Sequence, residues 1–303
     1  MKKQLLRLLL CAGLLAGLFT VTALAADWTY DPTAQTLTYT LSSDTVVLKN
    51  VTDDGSGKMT IGSYQNFTGA ALDLTGKITD SDGNTYAITA LGGSAFHGCG
   101  TLTTVALPES LTSIETYAFY SCSDLATVDF SRCTNLTIID MYAFSNCTSL
   151  AAVDLSGCTS LSTIEGYAFQ TCGLTTMDLS GCTNLSSIGQ RTFTSCDDLT
   201  SMTLPNSLTG IGDEAFYGCS NLDELVLLSK NPPTLGEDAL LAVSQDFRII
   251  VPEENAEAYK TAEGWKDVAG SVHGLTYQLE VTPPNGSLEI FRGEPPRGQI
   301  PRR

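Results

Sequence analysis

The apolar positions of this chain fall into one short pattern, written six times between Leu91 and Leu227. The pair before each central cysteine reads Ala95-Phe96, Ala118-Phe119, Ala143-Phe144, Ala168-Phe169, Thr192-Phe193 and Ala215-Phe216, so successive phenylalanines are 23, 25, 25, 24 and 23 residues apart. Three positions after each phenylalanine stands Cys99, Cys122, Cys147, Cys172, Cys196 or Cys219. Five positions before it stands Leu91, Ile114, Ile139, Ile164, Ile188 or Ile211. A fixed period of this size signals a solenoid, in which each unit buries its apolar face only against its neighbours.

Each period holds two apolar clusters. The first is Leu-x-x-Val-x-Leu, as in Leu102, Val105 and Leu107, then Leu125, Val128 and Phe130, and so on to Leu222, Leu225 and Leu227. Side chains two positions apart share one face of a strand, and the residue between them points the other way. The second cluster ends in Ile-x-x-x-Ala-Phe-x-x-Cys, where a second short strand gives way to a tight turn packed on phenylalanine. Long helices do not fit a period this short with so many β-branched residues. The pattern predicts a β-rich solenoid of six 23–25-residue turns, two short strands per turn, stacked into parallel sheets.

The flanks divide by composition. Residues 1–26 read as a secretory signal peptide: Lys2, Lys3 and Arg7 precede an apolar run from Leu8 to Val21, and Ala23-Leu24-Ala25 supplies a cleavage pattern. No later stretch is long and apolar enough to span a membrane, so export past the membrane is the expectation. Residues 27–87 read as a β-rich N-terminal capping segment. Thr36–Leu41 and Thr45–Lys49 alternate apolar and polar side chains, and turn signals stand at Asp54-Gly55-Ser56-Gly57 and Asp80-Ser81-Asp82-Gly83-Asn84. The second of these resembles a calcium loop only in part, since its glycine comes early and no glutamate completes it; a hairpin turn is expected there. The array runs from 88 to 228. Residues 229–270 form a closing unit, with Pro232-Pro233, a short helix over Glu253–Lys260 and Trp265 over the last turn. Residues 271–303 read as the start of a further, incomplete β domain, followed by a basic tail rich in proline and glycine.

These lines carry a family resemblance. Leu125-x-x-Val128-x-Phe130-x-x-Cys133-x-x-Leu136 is close to the leucine-rich-repeat line, with one extra residue before the last leucine. The run Val105-Ala106-Leu107-Pro108-Glu109-Ser110-Leu111-Thr112-Ser113-Ile114, followed by Ala118-Phe119 and Cys122, resembles the BspA-like subgroup, as does Met202-Thr203-Leu204-Pro205-Asn206-Ser207-Leu208. The block from Asn231-Pro232-Pro233 through Ile250-Val251-Pro252 to Gly264-Trp265-Lys266 resembles the closing unit of such arrays. The resemblance implies a scaffold found in secreted or surface-exposed bacterial proteins, some of them adhesins for host proteins. It brings no residue-level binding motif.

Charge and cysteine content refine this picture. A net charge of −17 over 303 residues excludes binding to a phosphate backbone, so nucleic acid is not a partner. Nine cysteines follow the leader, an odd number at equivalent repeat positions without close Cys-x-x-Cys pairs. A column of reduced, buried cysteines acting as small apolar residues is the simpler expectation over bridges or zinc. Only His97 and His273 are present, and neither has the partners that a nucleophilic or acid–base site needs. The chain therefore reads as a non-enzymatic monomer with no cofactor and no metal.

What remains are the outward residues. Between the inward side chains of the first strand stand Ala106, Asp129, Asp154, Asp178, Thr203 and Val226. After the isoleucine of the second stand Gly92, Glu115, Asp140, Glu165, Gly189 and Gly212, and two further on Ser94, Tyr117, Tyr142, Tyr167, Arg191 and Glu214. The middle turns thus carry acidic columns on both sheets, with a tyrosine column beside one. Stacked like charges oppose each other unless a cation or a basic partner compensates. One reading is a binding face built from Asp129, Asp154, Asp178, Glu115, Asp140, Glu165, Tyr117, Tyr142 and Tyr167, which engages a basic protein segment or a calcium-bridged partner. The other is duplication of one repeat, with hydrated carboxylates or carboxylates bonded to turn amides. In function, the sequence suggests an extracellular binding or adhesion protein that recognises a protein or a cell-surface glycan. The alternative is a targeting module of a larger secreted enzyme acting on carbohydrate or cell wall.

Overall fold

A computed structural model describes residues 27–41, 44–63, 65, 67–275, 277–280 and 289–292. The expected leader and the basic tail beyond residue 292 lie outside the described residues. The chain is a parallel β-solenoid with two sheets running along its length. Sheet I, nine-stranded among the described residues, stacks the Leu-x-x-Val-x-Leu strands, such as Thr127–Asp129, Ala152–Asp154 and Thr176–Asp178. Sheet II stacks the strands that end in isoleucine, such as Ser113–Ile114, Ile138–Ile139 and Thr163–Ile164. Equivalent residues of successive turns pair in register: Val153 lies beside Met177, and Ile139 beside Ile164.

The core is a set of columns. Phe96, Phe119, Phe144, Phe169, Phe193 and Phe216 are fully buried, and their rings stack with centroids 5.1–5.7 Å apart and planes within 12° of parallel. All nine described cysteines are free and buried. Those of the main column use the thiol as a donor to the preceding turn, as in Cys122 Sγ to the Phe96 carbonyl at 3.0 Å and Cys147 Sγ to that of Phe119 at 3.2 Å. Cysteine thus fills a small apolar site and satisfies a buried carbonyl as well. Burial pushes the Cys122, Cys133, Cys182 and Cys219 thiols up to about 12.

Hydroxyl ladders hold the turns together at the surface. Thr112 donates both its N–H and its Oγ1 to the Thr89 carbonyl at 2.8 Å, Thr137 repeats the arrangement on Thr112 at 2.9 Å, and Ser162 on Thr137 at 3.0 Å. Asn135, Asn184 and Asn221 donate side-chain amides to carbonyls of the preceding turn. Uncharged polar residues are abundant because they bind one turn to the next.

The stack extends past the six written copies, to eight stacked parallel strands in sheet II among the described residues. Before them, Lys58–Ile61 pairs in parallel with Thr85–Leu91, and Ala71–Asp73 with Thr104–Ala106, so the region read only as a cap also supplies a divergent turn. Phe67 stands edge-on to Phe96 at 6.4 Å and opens the ring column. Insertion of the hairpin Ile78–Leu91 hides the repeat period there. After the copies, Thr234–Leu235 pairs with Gly210–Ile211, and Ala239-Leu240 takes the place of alanine–phenylalanine. Trp28 closes one end, its indole N–H on the Asp73 carbonyl at 3.0 Å. Near the other end Trp265 is fully buried, with its indole N–H on the Pro233 carbonyl at 2.6 Å. The short helix is split into a 3-10 turn, Glu253–Asn255, and an α-helix, Ala256–Thr261. One expectation changes: Val272–Leu275, read as opening a further domain, pairs in parallel with Arg248–Pro252 and ends sheet I. Among the described residues, Tyr277–Glu280 and Glu289–Arg292 pair antiparallel as a separate two-stranded sheet.

Candidate binding face

The nine candidate residues divide between the two sheets. Asp129, Asp154 and Asp178 lie on sheet I, where Asp154 pairs directly with Asp178. Each carboxylate accepts the backbone N–H two residues on: Ser131 at 2.9 Å, Ser156 at 2.9 Å and Ser180 at 2.8 Å. Asp73 does the same with Thr75 at 2.8 Å, although its turn was not recognised as a repeat from sequence. Aspartate therefore has a local task here, since its side chain closes an Asx turn that lets the chain leave the strand.

Glu115, Asp140, Glu165 and the tyrosines lie at the corner after the sheet II strands. Glu115 Oε2 accepts the Gly93 N–H at 3.0 Å, and Asp140 Oδ2 accepts the Thr116 hydroxyl at 2.9 Å. Both carboxylates reach back one turn. Asp213, one position further along its own turn, reaches the other way and accepts the Glu237 N–H of the following turn at 2.9 Å.

The tyrosines are different. Tyr117, Tyr142 and Tyr167 stack face to face, centroids 4.9 and 4.5 Å apart, planes 12° and 13° from parallel. All three hold left-handed backbone, with φ of 61°, 58° and 61°. The column position is left-handed in each turn from Ser94 onward, at Ser94, Arg191, Glu214 and Asp238 as well. The turn geometry demands it, and no turn spends a glycine there. Left-handed backbone costs a bulky residue about 1–2 kcal/mol. Tyr117 is 36% exposed, unlike the buried phenylalanines two residues on. Burial, then the neighbouring Tyr167 and Tyr117, raises the Tyr142 hydroxyl above its ordinary value.

Two features of the ladder escaped the sequence reading. Tyr120 stands edge-on to Tyr117 at 5.3 Å and stacks on His97 at 5.2 Å, which widens the strip into an aromatic cluster. Arg191 ends the strip at the other side, pairing with Glu214 and donating to the Tyr167 hydroxyl at 3.2 Å. The signal for the second was present, because tyrosine, arginine and glutamate follow one another at a single repeat position. Among the described residues, no cluster of three or more His, Cys, Asp and Glu is placed to hold a metal ion, and no helix is long and apolar enough to cross a membrane. Asp80, in the loop that partly resembles a calcium site, is occupied by Asn84, Asp82 N–H and Tyr86.

Comparison with known proteins adds the family. Six copies of the BspA type leucine rich repeat region match, over residues 83–183, 133–239 and 162–260. The chain belongs to the BspA-type leucine-rich repeat family. Among solved structures, a leucine rich cell surface protein from Faecalibacterium prausnitzii A2-165 is similar at TM-score 0.57 and 22% identity. That match covers 80% of this chain and 58% of the other, so this BspA-type chain spans little more than half the length of its structural relative. A leucine-rich repeat protein from Bacteroides ovatus ATCC 8483 is 19% identical at TM-score 0.42, covering 66% and 69%. The pneumococcal vaccine antigen PcpA is 19% identical at TM-score 0.43, covering 73% and 49%. No curated protein sequence matches. At these identities the structural likeness concerns the fold of BspA-type arrays alone.

Proposed function

We propose that this BspA-type chain is a non-enzymatic, extracellular recognition protein that binds another protein through the tyrosine-lined corner of its middle turns. The observation that carries the reading is the ladder Tyr117–Tyr142–Tyr167. Core packing accounts for the phenylalanine column and turn closure accounts for the sheet I aspartates. Neither accounts for three consecutive large aromatics at left-handed surface positions. Rigid tyrosines beside carboxylates supply broad contact area at low entropic cost, which is the composition of protein recognition surfaces. The basic and apolar leader at 1–26 supports export, and the cell-surface description of the Faecalibacterium relative supports a place at the surface.

The test is binding of the full chain to immobilised extracellular matrix proteins and, in parallel, to cell-wall and host polysaccharides. The expected result is saturable binding to a protein, weakened by salt because the corner is acidic. Binding to polysaccharide alone, with release of sugar from it, would instead favour the targeting module of a carbohydrate-active enzyme and overturn the reading.

A further inference from the structure

We propose that the N-terminal end of the tyrosine ladder is a socket for an arginine side chain presented by the partner protein. This deepens the recognition reading and rests on it. The chain carries its own example of the contact at the opposite end of the ladder. There the Arg191 guanidinium lies 5.8 Å from the Tyr167 ring centroid, and Nη1 donates to the Tyr167 hydroxyl at 3.2 Å. Nη2 pairs with Glu214, which stands at the same repeat position one turn on. Ring face, guanidinium and carboxylate make one unit, and it covers the outer face of Tyr167.

At the near end no arginine stands at the column position next to the ladder, and Tyr117 keeps 36% exposure. The column residue before Tyr117 is Ser94, whose single hydroxyl cannot cover a tyrosine ring. Glu115 Oε2 sits on the Gly93 N–H at 3.0 Å, which places a carboxylate beside Ser94. Tyr120, edge-on to Tyr117, walls one side. A guanidinium laid on the Tyr117 face meets the negative face of the ring and directs its N–H fork at Glu115, as a compact ammonium cannot. The net charge of −17 draws basic segments toward the molecule before contact. A sugar chain fits less well, because it needs ring faces laid side by side. Here the stacked tyrosines cover one another's faces and leave the terminal one.

The probe is a short peptide alternating arginine and glycine, titrated calorimetrically into the full chain at neutral pH. Saturable binding is expected, weakening with salt, and several-fold tighter than that of the lysine counterpart. Tyr117→Asn, which tolerates the left-handed backbone, and Glu115→Gln should each weaken it about tenfold. Arg191→Ala uncovers the second face beside Glu214 and should raise the stoichiometry by one peptide. Circular dichroism confirms that the variants fold. Equal affinity for arginine and lysine peptides, or an unchanged affinity in Tyr117→Asn, would overturn the proposal, as would binding of polyamine or glycan but not of peptide. If a matrix protein binds through the ladder while the arginine peptide neither binds nor competes, the socket is wrong and the recognition reading stands. If no protein binds the ladder, the recognition reading falls by itself.

Discussion

At the scale of the residue, the same side chain does different work in different columns, and its partner tells which. Tyrosine at 259 is a core residue, fully buried with its hydroxyl shared with Ser229, whereas tyrosine at 117, 142 and 167 lies along the surface. Cysteine is uniform: buried, free and, in the main column, donating to a phenylalanine carbonyl one turn back. Two outcomes follow for the nine array thiols. In the folded chain an aromatic disulfide reagent should react with none of them on mixing, and with all of them after denaturation. Their effect on stability has a definite sign. Burial raises the Cys122 thiol from 9.0 to about 12, so the folded state keeps a proton that the unfolded chain loses first. The associated stability is complete below pH 9 and is lost as pH rises toward about 12. Thermal melts of wild type and Cys122→Ala should therefore converge across that window. Parallel pH profiles would contradict the assignment. Cysteine spacing was legible in the sequence, because a repeated position must be a stacked position. The carbonyl each thiol serves was not, because it belongs to the backbone of another turn.

At the scale of the element, two short strands and two corners make the repeat, and the corners carry the polar chemistry. On sheet I each aspartate closes its own turn through the N–H two residues on. Asp154→Ala leaves that amide without its acceptor and should cost about 0.5–1.5 kcal/mol in denaturant unfolding. Replacing Asp129, Asp154 and Asp178 together with asparagine keeps an acceptor at each turn and removes like charges one strand apart. The melting temperature of that triple variant should be unchanged or higher. A drop of several degrees would show that the carboxylate charges themselves stabilise the array. Six copies of Ile/Leu-x-x-x-Ala/Thr-Phe-x-x-Cys made the repeated element legible. The flanking turns were harder: Leu240 stands where phenylalanine is expected, and the hairpin Ile78–Leu91 stretches the period before Phe96. Once one residue of the pattern and its spacing both change, only the pairing with the neighbouring strand identifies the turn.

At the scale of the whole molecule, stacking converts a residue into a column and a column into a surface. Acidic and aromatic positions that are separated by some 25 residues in sequence meet side by side, and the register of each sheet keeps them aligned. Sequence comparison of the copies was enough to find both acidic columns and the tyrosines. It could not separate them by task, since an aspartate that closes a turn and a carboxylate open to a partner look alike until the amides are placed. Nor could it show that Arg191 lies over the ring at one end of the ladder while Tyr117 at the other is 36% exposed. The direct measurement is equilibrium binding of a captured matrix protein to two triple variants of the full chain, both verified as folded. One replaces Tyr117, Tyr142 and Tyr167 with asparagine, and the other replaces Asp129, Asp154 and Asp178 with asparagine. The account predicts at least about tenfold weaker binding for the tyrosine variant and wild-type binding for the aspartate variant. Wild-type binding by the tyrosine variant, or loss confined to the aspartate variant, would contradict it.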